Sequence, residues 1–256
     1  MSRVLILGAT GSLGRYVTQQ AVAANQDVSV LVRSPSKLPV HIRERVMVHQ
    51  ADLATTPVSE LAAIFRNKDA VINTAGLVTE GQRFVDLVAR VVAGLESLDK
   101  GERPVCWFLA GAALLDLDDR GRRAVGFPRV AATYWPHLAN FERIRQTGLD
   151  WRLLCPGPMV DQPALGLARM RISLDRLPVR IPRFAGSLPG TMVLPFFAHR
   201  IPEMIIPYAD AAALMLANLT PGTGMSRRRV GLALPAGLRG TKARWAARPP
   251  AALPIA

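Results

Sequence analysis

Apolar residues arrive in short unbroken blocks, and between the blocks they recur every three or four positions. Val4-Leu5-Ile6-Leu7 is the first block, the pattern of a strand buried on both faces. Leu13, Val17, Ala21 and Ala24 follow at helical spacing. Val28 to Val32 predicts a second strand, Val46 to His49 a third, and Ala70 to Asn73 a fourth, with a helix from about Val58 to Phe65 before the fourth. Phe84, Leu87, Val88, Val91 and Leu95 mark a long amphipathic helix. Val105 to Leu109 is strand five. Leu138, Phe141 and Ile144 mark a helix starting just after Pro136 and closed by Gly148, Trp151 to Cys155 is strand six, and Arg227 to Leu234 is a last strand. Strand and helix in strict alternation predict a parallel sheet with helices on both faces, wound in both directions from its centre by right-handed crossovers.

The stretch from 156 to 207 breaks the rhythm. It carries Pro156, Pro158, Pro163, Pro178, Pro182, Pro189, Pro195, Pro202 and Pro207, a density that predicts irregular loops. In a doubly wound α/β fold it lies beyond the carboxyl ends of the late strands, where ligands bind, so it reads as a substrate-side lid. At 256 residues and 50% hydrophobic, the chain is expected to form one Rossmann-like domain over residues 1–235, with a basic, proline-rich tail at 236–256.

Charge changes the picture only at the carboxyl end. The net charge is +13, and from Ala211 onward there are basic residues and no acidic one. The tail carries no zinc ligands, stacking platform or nucleic-acid motif, so a solubilising tail is the simpler reading and nucleic acid is not an expected partner. No apolar run approaches the roughly 20 residues of a membrane span, and Val4 to Leu7 leads into glycines as a core strand does, not a signal peptide. A cytoplasmic monomer or homodimer is expected. Cys106 and Cys155 sit in strand blocks without metal spacing and read as buried thiols, and no metal site is expected from His41, His49 or His199. Asp116, Asp118 and Asp119, followed by Arg120, Arg122 and Arg123, read as a solvated, mutually paired loop.

The chemistry concentrates in Gly8-Ala9-Thr10-Gly11-Ser12-Leu13-Gly14, between the first strand and the first helix. Gly8 permits a tight turn, Gly11 lets the backbone approach a pyrophosphate, and Gly14 lets helix and strand pack closely, with the helix N-terminus facing the phosphate charge. A structural turn in a fold that has lost its cofactor is the competing reading. Strand two ends in Arg33, with Ser34 and Lys37 close by, where an NAD-specific site places a carboxylate. A guanidinium grips a 2′-phosphate with two parallel hydrogen bonds, so NADP(H) is expected over NAD(H).

These residues resemble the atypical, NmrA-like branch of the short-chain dehydrogenase/reductase superfamily, over residues 3 to 235. Asp52 and Leu53 after strand three resemble its adenine-contacting segment. Asn73-Thr74-Ala75-Gly76 resembles its cofactor-side turn, and Pro156-Gly157-Pro158 its nicotinamide turn. Ala110 and Gly111 stand where the family places a substrate-orienting serine, and Asp210 resembles the N-terminal charge of its late helix. His137 to Pro156 is similar to the matching stretch of the small biliverdin and flavin reductases of this branch. The departures bear on activity. The family's Tyr-x-x-x-Lys pair is reduced to Tyr134 with Leu138 in the lysine position, and a tyrosine with a pKa near 10 is a poor base at neutral pH.

Two readings follow. The resemblance implies a reductase passing hydride from NADPH to a small carbonyl, quinone or flavin-like acceptor. His137, with a free-solution pKa near 6.5, is then the candidate proton donor or substrate-orienting group, and Tyr134 its neighbour. The missing pair instead fits a non-catalytic NADP(H)-binding regulator or assembly factor. Arg169, Arg171, Arg176, Arg180 and Arg183 in the lid fit attraction of an acidic small molecule, with an oligomer or membrane-surface contact as the rival.

Overall fold

The computed structural model describes residues 1–241. The strands are β1 (Arg3–Leu7), β2 (Asp27–Val32), β3 (Met47–Gln50), β4 (Ala70–Asn73), β5 (Val105–Leu109), β6 (Asp150–Pro156), β7 (Met159–Val160), β8 (Arg171–Leu174), β9 (Ile206–Pro207) and β10 (Arg228–Ala233). The helices are α1 (Gly14–Ala23), α2 (Val40–Arg43), α3 (Val58–Phe65), α4 (Gln82–Glu96), α5 (Pro128–Ile144), α6 (Arg183–Ser187), α7 (Leu194–Arg200) and α8 (Tyr208–Leu216). The main sheet runs β3-β2-β1-β4-β5-β6-β10-β8, parallel except for its last strand. This is the Rossmann-like doubly wound α/β fold, with its direction of winding reversed between β1 and β4.

Neighbouring residues of each central strand serve opposite faces. Leu5, Leu7, Val71, Cys106, Phe108 and Leu153 bury under α3, α4 and α5, while Val4, Ile6, Ile72, Trp107 and Leu154 bury against α1 and α8. That two-sided burial is why these strands are uninterrupted apolar blocks. Both thiols are buried, and burial pushes Cys106 up and Cys155 up to about 12, so neither is a nucleophile at neutral pH.

The proline-dense stretch is more ordered than its composition predicts. Arg171–Leu174 becomes β8, antiparallel to β10 at the sheet edge, pairing Val230 with Leu174 and Ala233 with Arg171. An edge strand tolerates Arg171 and Ser173 on one face because half of its surface faces water. β7 and β9 pair as a separate two-stranded sheet that ties together the two ends of the insert.

Two buried arginines fix this half of the molecule. Arg152, with no exposed surface, donates to the carbonyls of Asn218 and Thr220 beyond the end of α8, where carbonyls lack helical partners. Arg229 donates to the Leu114 carbonyl at 2.6 Å, to both oxygens of Asp116 at 3.0 and 3.1 Å, and to Asp175. The Asp116–Arg123 segment is thus the solvated, mutually paired loop only at its tip, where Asp119 to Gly121 are exposed. Asp118 pairs with Arg122 at 2.6 Å, but Asp116 reaches across to β10, and Leu117 is buried. The start of the tail is pinned to the insert: the Gly240 N–H donates to Pro202 and Arg239 to His199. The segment from Lys242, including Arg248 to Pro254, lies outside the described residues.

Candidate functional site

The glycine turn closes with the Gly11 N–H donating to the Gly8 carbonyl at 2.9 Å. Gly8 has φ +80°, and a Cβ there would lie 2.8 Å from the Ala75 nitrogen, so the turns after β1 and β4 abut. A Cβ on Gly14 would come within 2.1 Å of the Gly8 oxygen, which is the close packing of helix on strand. At Gly11, which is exposed, only the Gly8 oxygen comes within 4 Å, at 3.2 Å. The protein itself leaves room there, and the clearance serves whatever sits over the turn. No side chain caps α1 and no acidic residue stands in its first turn. The Arg15 N–H donates to the Gly11 carbonyl at 3.1 Å, but the partial positive end of α1 carries no protein anion of its own, and the turn fits a dinucleotide pyrophosphate.

The turn after β4 is tied to this one. The Thr74 hydroxyl donates to the Leu7 carbonyl at 2.8 Å, and Asn73 Oδ1 accepts the Ala75 N–H at 3.0 Å. Gly76, with φ +95°, carries the Phe84 ring directly on its backbone.

A cavity of about 1090 Å³ opens over the carboxyl ends of the strands. The structure brings to its wall Thr10, Gly11 and Ser12 from the first turn, Ala75 and Gly76 from the second, and Ala110 and Gly111 after β5. Pro156, Gly157 and Pro158 after β6, with Tyr134 and His137 from α5, complete those of the predicted residues that line it. Gly8, Leu13, Gly14, Asn73 and Thr74 stand behind the wall and shape it. Arg33, Ser34 and Lys37 lie at the end of β2, outside the cavity wall, with Arg33 and Lys37 exposed. Asp52 and Leu53 follow β3. Asp52 Oδ1 accepts the Ala54 N–H at 2.9 Å, and the Leu53 side chain is buried while its carbonyl accepts from Arg90 at 2.9 Å. Both hold their own loop.

His137 differs from the sequence expectation in two ways. It does not begin a helix: α5 starts nine residues earlier at Pro128, which occupies the first helical position where proline is tolerated, and runs through Pro136. Nor is it poised for proton transfer. It is 8% exposed, its Nδ1 has no partner, and burial pushes its pKa down from 6.5 to about 4. At neutral pH it is an uncharged imidazole, with no proton to give from a cationic form. Its ring stacks on Tyr134 (centroids 6.3 Å apart) and meets the edge of Phe84 (5.6 Å). A Cβ at Gly111 would lie 3.3 Å from His137 Nε2, so the absence of a side chain where the family carries serine makes room for the imidazole.

The lid arginines have other work. Arg171 pairs with Glu203 at 2.9 Å, Arg176 pairs with Asp119 at 2.5 Å, and Arg169, Arg171, Arg176 and Arg180 are all absent from the cavity wall. The insert contributes instead Leu194, Phe197, Ile201, Met204 and Tyr208, side chains that the proline pattern concealed. Met204 packs so tightly on the turn after β6 that a Cβ at Gly157 would lie 2.5 Å from its carbonyl oxygen. Asp210 is fully buried in the first turn of α8 and accepts the N–H groups of Leu165 and Gly166 at 2.9 and 2.8 Å, anchoring the insert. Among the described residues the only charged side chains on the cavity wall are Arg15 and Asp161, which neither motif nor spacing signalled. Among the described residues no group of His, Cys, Asp or Glu could hold a metal ion, and no helix is long and apolar enough to cross a membrane.

The sequence matches an NAD(P)H-binding family over residues 8–183. Solved structures share the fold at low identity. A Rossmann-fold NAD(P)-binding protein from Shigella flexneri is 16% identical (TM-score 0.62, covering 94% of this chain and 98% of that one). A protein from Streptococcus pneumoniae assigned as an NADH-flavin reductase is 17% identical (0.67, 91% and 100%). One from Burkholderia pseudomallei assigned as exported is 20% identical (0.67, 91% and 100%).

Proposed function

Because this chain belongs to the NAD(P)H-binding family, we propose that it is an NADPH-dependent reductase whose hydride acceptor is flat, conjugated and uncharged, of the flavin or quinone kind. The observation that carries this reading is the make-up of the cavity wall beside the glycine turn. Among the described residues it is apolar and aromatic, its one histidine is uncharged, and its two charged side chains pair with each other. Away from the glycine turn, such a wall offers nothing to a carboxylate or phosphate on the acceptor, and much to a planar ring. The resemblance of the fold to a protein assigned as a flavin reductase points the same way.

The bound dinucleotide supplies the hydride from its nicotinamide ring. The chain's part is to hold it and to keep the acceptor stacked and dry. Ser12, Gly11 and the α1 N-terminus would take the pyrophosphate, and Pro156-Gly157-Pro158, backed by Met204, would hold the nicotinamide side. Phe84, His137, Tyr134 and Phe197 enclose the acceptor. The reduction consumes one hydride and one proton. The proton comes from water at the cavity mouth, where Tyr134 is 39% exposed, and a flavin or quinone needs no stronger acid from the protein. The regulator reading keeps one point in its favour, Leu138 in place of the catalytic lysine.

Calorimetric titration with NADPH and NADH, then an acceptor screen by NADPH absorbance, tests the reading. Turnover with flavins or quinones supports it; binding without turnover on any acceptor favours the regulator. Arg33→Ala should weaken NADPH by roughly 10- to 100-fold, the loss of charge-assisted bonds to a phosphate, and leave NADH within about threefold. Equal losses would remove the 2′-phosphate assignment.

A further inference from the structure

Arg15 stands one residue past the last glycine of the turn, in the first turn of α1, and lines the cavity with Gly11 and Ser12. Its Nη2 lies 3.0 Å from Asp161 Oδ2, a residue 146 positions later, immediately after β7. The other oxygen of Asp161, Oδ1, accepts the Tyr16 hydroxyl. Burial and the adjacent Asp161 carboxylate push Tyr16 up to about 12, so it remains a donor throughout the physiological range. Tyr16 in turn stacks on Tyr208 at the start of α8 (centroids 5.8 Å apart), and Arg15 lies over the Tyr16 ring at 5.0 Å.

This places a negative charge beside a turn built for a dianionic bridge. In a site evolved only for tight phosphate binding, a carboxylate at that point is a liability. We propose that Arg15 is a ligand for the cofactor's pyrophosphate which Asp161 holds in reserve, so that each binding event must draw Arg15 away from Asp161 and each release returns it. The proposal rests on the cofactor reading above. The two side chains are partly exposed, 24% and 37%, and ion pairs this accessible are weak. A doubly charged phosphate bridge at an uncapped helix N-terminus competes for the guanidinium with ease. Tyr16 keeps its hold on the other oxygen during the exchange, so the segment after β7 stays anchored. The pair therefore acts as a brake on cofactor affinity. A reductase gains from such a brake, because release of the oxidised dinucleotide limits turnover in many enzymes of high cofactor affinity.

The test is a titration of the full chain with NADPH and with NADH, using wild type, Asp161→Asn, Arg15→Met and the double variant, with a melting curve for each. Asparagine keeps an acceptor for Tyr16 and removes the charge. Asp161→Asn is expected to tighten both dinucleotides by about 3- to 10-fold, and Arg15→Met to weaken both by about tenfold. The equal effect on NADPH and NADH sets Arg15 apart from Arg33. The gain from Asp161→Asn is expected to vanish in the Arg15→Met background. An Asp161→Asn protein that melts like wild type but binds no tighter overturns the proposal, as does a gain that survives the loss of Arg15. A wild-type chain that binds neither dinucleotide overturns the cofactor reading itself, and the brake with it.

Discussion

Gly11→Val is expected to abolish binding of NADPH and NADH alike, by at least about a hundredfold, while the melting temperature stays within a few degrees of wild type. The separation of the two effects comes from geometry. A Cβ at Gly11 meets only the Gly8 oxygen, at 3.2 Å, and Gly11 has no positive φ that a branched side chain would strain. The isopropyl group instead projects over the turn, into the space that a pyrophosphate needs to reach the α1 N-terminus. Gly14 is the control in the opposite sense. There a Cβ would stand 2.1 Å from the Gly8 oxygen and 2.7 Å from Thr74 Oγ1, so Gly14→Ala forces β1 and α1 apart and costs about 3 kcal/mol of stability, the upper end for overpacking. Calorimetry against both dinucleotides, with a melting curve for each variant, checks the pair. A Gly11→Val chain that folds and still binds would mean that the dinucleotide does not lie over this turn.

What the sequence reveals of this architecture follows from how locally each feature is encoded. β1, β4 and β5 are buried on both faces, so their apolar blocks are unbroken and their bounds legible to within a residue. The glycine turn is equally local, because each glycine answers to a contact within a few residues or to the abutting turn after β4. The start of α5 is hidden, because its first two turns face solvent: Thr133, Tyr134 and Trp135 are exposed and give no periodicity, and Pro136 looks like a boundary. β8 is hidden because an edge strand needs only one apolar face, and its four residues, Arg171 to Leu174, are too short and mixed to show a period within the proline-dense stretch. The insert's side of the cavity, from Leu194 to Tyr208, comes from short helices whose apolar residues are set between prolines. The contacts of Arg15 with Asp161 and of Arg229 with Asp116 span 146 and 113 positions, beyond any local pattern. The charge of His137 depended on its neighbours and not on its spacing. Read alone it is an ordinary imidazole, while within α5, between Phe84 and Gly111, it is a desolvated one.

That desolvation has a measurable consequence. The unfolded chain takes up a proton on His137 near its ordinary value of 6.5, whereas the folded chain resists until about pH 4. Between those values the unfolded state binds more protons, so stability must fall as the pH drops from about 7 to 4, and the loss attributable to His137 levels off below 4. A depression of that size corresponds to about 3 kcal/mol, and with the side chain 8% exposed little of it is screened. His49, lowered by its own burial and by Lys68, adds a smaller loss of the same sign. The informative quantity is therefore the difference between wild type and His137→Gln. Urea denaturation at pH 7, 5.5 and 4 should show the variant losing markedly less stability on acidification, even if it starts lower at pH 7. Parallel losses in both proteins would mean that His137 titrates normally, and would restore it as a proton donor. The same logic governs turnover. An imidazole that stays neutral down to about pH 4 leaves no break near 6.5 in the pH dependence of kcat, whereas a proton-donating histidine imposes one. The two profiles together decide whether the α5 histidine takes part in proton transfer or serves as an uncharged wall against which a flat acceptor stacks.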